Sequence, residues 1–154
     1  MNFEHWRHYA RGWVFHFIGK TESAYEAYTQ AFRVDPQDVQ SARHLAAIAA
    51  QRQNYPVAEH WFLEVVRIAP QDSDSHFNLG FVREQMKAPR QAIESFKEAV
   101  RLNPSLDRAW YAMGLAHAAL GEHADGAARS GSSATDERLC LVSARHGLSS
   151  RRSA

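Results

Sequence analysis

Three short stretches decide the fold: FRVDPQD at 32–38, VRIAPQD at 66–72 and VRLNPSL at 100–106. Each carries a proline in the same apolar-basic setting, and Pro36, Pro70 and Pro104 stand 34 residues apart. Sliding the sequence by that interval brings more columns into line. Gly12, Ala46, Gly80 and Gly114 superpose, as do Ala24, Ala58 and Ala92; Tyr28, Phe62 and Phe96; and Ala31, Val65 and Ala99. Gly19 and Gly121 share a further column. A fixed interval of this kind marks a repeat architecture, each period one supersecondary unit.

Each column has a physical reason. A glycine or alanine is required where two helix backbones approach closely, and the aromatic column fills the space beside that crossing. Between prolines the apolar residues recur at three and four, as in Ala92, Phe96, Ala99 and Val100, which is helical spacing. The recurrent prolines end one helix and set the approach to the next. Pro56 and Pro89 stand instead where a second helix opens and the missing N–H costs little. No segment reads as strand. The spacing predicts turns near Gly19, Asn54, Ala88 and Gly121.

These columns resemble the tetratricopeptide repeat, a helix-turn-helix unit of the same length. The segments RAWYAMGLAHAALGE at 108–122 and FNLGFVREQ at 77–85 carry the likeness most closely. It covers about residues 5–125 and implies an all-α, right-handed superhelical solenoid of about three and a half units, bacterial in style. The units would fall at about 5–38, 39–72, 73–106 and 107–125, the last incomplete, within a repeat domain over 1–125. The first unit departs from the pattern, with His8 and Arg11 where Trp and Leu are usual.

The resemblance also implies a function: a non-enzymatic interaction module whose first helices line a concave groove. The side chains expected there are Trp6, Tyr9, Trp13, His16 and Phe17, then Gln40, Arg43, His44 and Gln51. Asp74, Phe77, Asn78, Phe81 and Glu84 follow, and then Arg108, Tyr111 and Leu115. Relatives that grip an acidic chaperone tail use Lys and Asn at such positions. Tyr9, Trp13, His44 and Asp74 occupy the slots here, which argues against that ligand. The groove suits an apolar or aromatic peptide or partner protein, with Asn78 able both to donate to and accept from a peptide backbone. The stripe Phe3, Trp6, Ala10, Trp13 and Phe17 fits equally a helix that packs on its own neighbour or on a second copy. A second arrangement of the same parts is the recognition arm of a larger enzyme whose catalytic portion lies elsewhere.

Composition narrows the alternatives. A net charge of +1 over 154 residues supplies no basic field for nucleic acid. No apolar run approaches the roughly 20 residues that span a bilayer, and the first residues carry charge where a secretory h-region is apolar. With the single Cys140 this fits a cytoplasmic protein. The nine histidines form no ligand set, His5 and His8 being expected at the surface and His76 and His117 in packing columns. No phosphate loop or nucleophile-base pair is present, so no cofactor, metal or catalytic residue is expected.

The beat stops near Gly126. A fourth second helix would need small and aromatic residues near 126, 130 and 133, and the chain has Gly126, Ser130 and Ser133. The composition of 126–154 is that of an irregular, disordered tail. Displaced by one nucleotide, the codons permitted from Cys140 onward spell Ala-Trp-Tyr-Gln-Leu-Gly in the phase of a further first helix. That phase is expected if a deletion or sequencing error between about Ala124 and Arg129 shifted the frame of a fifth unit.

Overall fold

The computed structural model describes residues 3–121. Among them are seven α-helices and no strand: α1 (Phe3–Phe17), α2 (Thr21–Val34), α3 (Val39–Gln51), α4 (Tyr55–Ile68), α5 (Ser73–Gln85), α6 (Pro89–Leu102) and α7 (Asp107–Ala119). The expected irregular tail, and with it the shifted frame, lies outside the described residues.

The turns inside successive helix pairs are built alike. Gly19, Gln53, Lys87 and Gly121 have φ of +78°, +59°, +61° and +66°. The residue after each of the first three turns its N–H back five positions: Lys20 to the Phe15 carbonyl, Asn54 to Ala49 and Ala88 to Arg83, at 2.8, 2.9 and 2.9 Å. A left-handed residue followed by such a bond satisfies the last carbonyls of a helix and reverses the chain. Glycine occupies that conformation without strain, so the two glycines were legible as turns while Gln53 and Lys87 hold the same geometry at a cost. Pro56 and Pro89 then stand in the first turn of α4 and α6.

The chain divides into two compact units between Gln71 and Asp72, that is, between the second and third helix pairs. In the first, α1 packs on α2, α2 on α3 and α3 on α4. Its core is Ala24, Tyr28, Leu45 and Ile48, with Tyr9, Phe15, Tyr25, Phe32 and Trp61 packed around it. Trp61 donates its indole N–H to the Tyr25 hydroxyl at 2.9 Å and sets its ring edge-on to Phe32. Asp38 caps α3, accepting from the backbone N–H of Gln40 and of Ser41, each at 3.1 Å.

In the second unit α5 packs on α6 and α6 on α7. Its apolar core brings Ala92, Ile93, Phe96, Ala99 and Val100 from α6 against Ala109, Trp110, Met113 and Ala116 from α7. Trp110 buries its ring there and satisfies its N–H on the Pro104 carbonyl at 2.9 Å.

The small-residue column does what the spacing predicts. A Cβ built on Gly12 would lie 2.7 Å from the Tyr28 ring, and one on Gly80 would lie 2.5 Å from the Phe96 ring. Each glycine is covered by the aromatic residue sixteen positions later, one helix on.

Candidate partner-binding surface

The expected binding residues fall into two groups in the first unit. Trp6, Trp13 and Phe17 expose 60%, 56% and 80% of their surface along α1, beside the equally bare Phe3. Trp13 and Phe17 stack on each other with ring centres 5.7 Å apart and planes within 10°. Three- and four-residue spacing puts these rings on one side of α1, away from the Gly12 contact that faces α2.

Tyr9 and His44 are half-buried and turned inward. The His44 imidazole lies flat on the Tyr28 ring at 4.5 Å. Tyr9 sets its ring edge against Tyr28 at 5.6 Å, and its hydroxyl is 3.4 Å from His44 Nε2. His16 approaches His44 edge-on at 5.8 Å. Burial, and secondarily the neighbouring Tyr9, pushes the Tyr28 phenol up to about 12. Burial, with Asp38 adding, raises Tyr9 as well. His44 moves down from its ordinary value, because burial disfavours the imidazolium and His16 adds repulsion against the weaker pull of Asp38. The rings of Tyr9, Tyr28 and His44 act as packing. Arg43, its neighbour on α3, is half-buried.

The pair His5 and His8, expected at the surface, is only partly there. His5 is half-buried and its Nε2 lies 2.8 Å from the Asp38 carboxylate, tying the start of α1 to the cap of α3. Burial raises the Asp38 pKa, but hydrogen bonds from Ser41, His5 and the Gln40 backbone outweigh it, and the carboxyl sits below its usual range. His8 and Arg11 line an open cleft of about 520 Å³ between α1 and α2 together with Phe15, Gln30 and Arg33. These are the two positions at which the first unit departs from its repeat pattern.

In the second unit Phe81 and Tyr111 are exposed, as is Leu115. Phe77 is half-buried, its ring tilted against Phe96 at 5.7 Å. The Arg108 guanidinium stands 4.6 Å over the outer face of Phe77 while bonding the Asp74 carboxylate. Asp74 and Arg108 belong to one column, 34 residues apart, so the repeat itself places these opposite charges side by side. Asn78 is half-buried on the same helix. Among the described residues no group of three or more His, Cys, Asp or Glu side chains could hold a metal ion, and no helix is long and apolar enough to cross a membrane.

The comparisons agree with this architecture. No curated protein sequence matches the chain. Among solved structures, the MamA RS-1 ArsTM double mutant is similar over 94% of this chain and 77% of its own, at a TM-score of 0.75 and 17% identity. The first TPR of Spaghetti (RPAP3), solved with the HSP90 peptide SRMEEVD, is similar over 77% of this chain and 94% of its own, at 0.70 and 18%. A mutant Thermobaculum terrenum O-GlcNAc transferase matches 74% of this chain with 22% of its own length, at 0.62 and 19%. At these identities the likeness is one of fold, the all-α helical repeat of the solenoid class. Residues 9–73 match a family model described as Tetratricopeptide repeat, and residues 90–121 match one described as TPR repeat. With the repeat columns, the paired helices and the glycine-to-ring contacts, these matches make the chain a member of the tetratricopeptide repeat family.

Proposed function

We propose that the chain is a protein-interaction module without catalytic activity, which holds a peptide or a segment of a partner protein on the aromatic concave face of its first helices. The observation that carries this is the exposure of large rings on α1, where Trp6, Trp13 and Phe17 lie bare while Gly12 alone of that helix is buried. Exposed aromatic rings in a row are costly in water and supply the anchors of recognition surfaces. The second unit offers its own stretch, with Phe81, Tyr111 and Leu115 around the Phe77–Arg108 stack. That Spaghetti was solved with a peptide bound supports a peptide ligand for this fold. Apolar or aromatic peptides suit the rings; Arg43, Asn78 and Arg108 supply polar points. The repeats are organised as about 5–38, 39–72, 73–106 and 107–125, with the protein acting in the cytoplasm and binding neither nucleic acid nor membrane.

The test is capture from cell extract with the full chain and with Trp13→Ala and Phe81→Ala variants. A protein held by the parent should be lost or weakened by roughly 2 kcal/mol in the variants, with circular dichroism and melting unchanged. If the variants melt early, or retain the same proteins, the rings are not anchors. The transferase match favours a second reading, in which the repeats are the recognition arm of a larger enzyme; co-purification of a catalytic protein would support it. Self-association through α1 is a third use of the same rings, and sedimentation of Trp13→Ala against the parent would reveal it.

A further inference from the structure

We propose that the cleft between α1 and α2 binds an acidic peptide segment of a partner protein, whose carboxylates pair with Arg11 and Arg33. This site is separate from the aromatic face of the first helices. Helical spacing puts His8, Arg11 and Phe15 on the opposite side of α1 from Trp6, Trp13 and Phe17. Every residue that lines the cleft belongs to α1 or α2, and its volume of about 520 Å³ is that of a ligand-binding cleft.

Two independent departures from the repeat meet there. In the column of Arg11 the other units carry Leu45, Leu79 and Met113, all buried. The first unit puts an exposed cation in that column, its guanidinium carbon 5.8 Å from the centre of the half-buried Phe15 ring. The second departure concerns Arg33. Its column mates Arg67 and Arg101 are each paired with the glutamate three residues earlier, Glu64 at 2.9 Å and likewise Glu98. Three residues before Arg33 stands Gln30, an amide that carries no charge. Among the described residues neither Arg11 nor Arg33 has an ion-pair partner. One change introduces a cation and the other withdraws a carboxylate, so both move the same cleft toward positive charge. Against the two guanidinium groups its lining sets the single carboxylate of Glu26. A guanidinium presents its N–H groups as a fork that matches a carboxylate. The Phe15 ring beside Arg11 offers an apolar contact as well. A peptide that combines carboxylates with an aliphatic side chain uses the whole cleft, whereas an inorganic anion engages the guanidinium groups alone.

The test titrates labelled full-length chain with the blocked peptide Glu-Glu-Leu-Leu-Glu-Glu and with its counterpart Gln-Gln-Leu-Leu-Gln-Gln, followed by amide NMR. The acidic peptide should saturate, with shifts gathered at Arg11, Phe15, Gln30 and Arg33 and an affinity that falls as salt is added. The glutamine peptide should bind at least about tenfold more weakly. Gln30→Glu gives Arg33 the partner its column mates have, and Arg11→Leu restores the residue type of its column. Each should weaken the acidic peptide at least about tenfold with melting unchanged, while Trp13→Ala leaves its affinity as it was. The proposal is overturned if no saturable binding occurs, if the two peptides bind alike, or if the shifts fall on the ring-bearing side of α1 or in the second unit. It is overturned equally if Gln30→Glu and Arg11→Leu bind like the parent, or lose binding only as they lose melting stability. Displacement of the peptide by inorganic phosphate at equal concentration would make the cleft a site for a free anion. A parent dimer, seen in sedimentation and lost in Gln30→Glu, would make the occupant a second copy. Either result overturns the assignment to a partner's peptide.

Discussion

The first and second units carry out the same crossing with different chemistry. In the second, Phe96 lies over Gly80 inside a core of alanine, isoleucine, valine, methionine and tryptophan carbon. In the first, Tyr28 lies over Gly12, and the space behind it is filled by the imidazole of His44 and the phenol of Tyr9. The difference shows that the repeat specifies a flat ring at one register and leaves its polarity open. The cost of that freedom is visible: the Tyr28 hydroxyl is buried with no hydrogen-bond partner among the described residues. A buried donor without an acceptor weakens a fold by about 1–3 kcal/mol.

Four tests would break or sharpen this contrast. The largest effect belongs to Phe96→Ala, which empties the apolar core of the second unit and should cost about 3–5 kcal/mol in urea denaturation. A loss below about 1 kcal/mol would mean that the second unit does not depend on its ring. Next, Tyr28→Phe removes the orphaned hydroxyl and makes the first unit resemble the second. It should stabilise by about 1 kcal/mol, and destabilisation would show that the hydroxyl is satisfied after all. Smaller again are Gln53→Gly and Lys87→Gly, which give the turn the residue that Gly19 and Gly121 already have. Each should raise stability by a few tenths to about 1 kcal/mol, and glycine at both should be roughly additive, one turn lying in each unit.

The smallest effect is one of pH. The folded state depresses the His44 pKa below its ordinary 6.5 through burial first and His16 second. Its contribution is therefore complete above about pH 6.5 and is lost as the pH falls through the lower folded value. The groups facing it, Tyr9, Tyr28, His16 and Asp38, all belong to the first unit. The first unit should melt lower at pH 5.5 than at pH 7.5. His44→Asn, which copies Asn78 of the same column, should flatten that dependence. An unchanged slope would mean that another histidine carries it.

Most of the fold could be read in advance because its determinants are periodic. Pro36, Pro70 and Pro104 marked the interval, and the glycine and aromatic columns marked the crossing that the structure shows at Gly12 and Gly80. The turns at Gln53 and Lys87 carried only an indirect signal, since neither residue prefers the left-handed conformation it adopts. The surface was less legible. A column says which side of a helix a residue takes, and that was enough to expose Trp6, Trp13 and Phe17. It does not say how far a neighbour reaches. Tyr9 and His44 stand in the expected columns, yet each turns onto Tyr28, and His5 finds Asp38 across 33 residues of sequence. Side-chain partnerships between different helices follow from three-dimensional distance, which no period encodes.

The sixteen-residue reach from glycine to ring has a consequence for synthesis. The partner of each crossing emerges from the ribosome only sixteen residues after the glycine it will cover, a delay of roughly one to three seconds at usual elongation rates. Every pair can therefore close while the next is still being translated, with no waiting for the far end of the chain. Contacts this local favour fast folding. A translational pause placed between Gly80 and Phe96 would hold α5 bare, whereas one after Leu102 would leave a finished pair behind it.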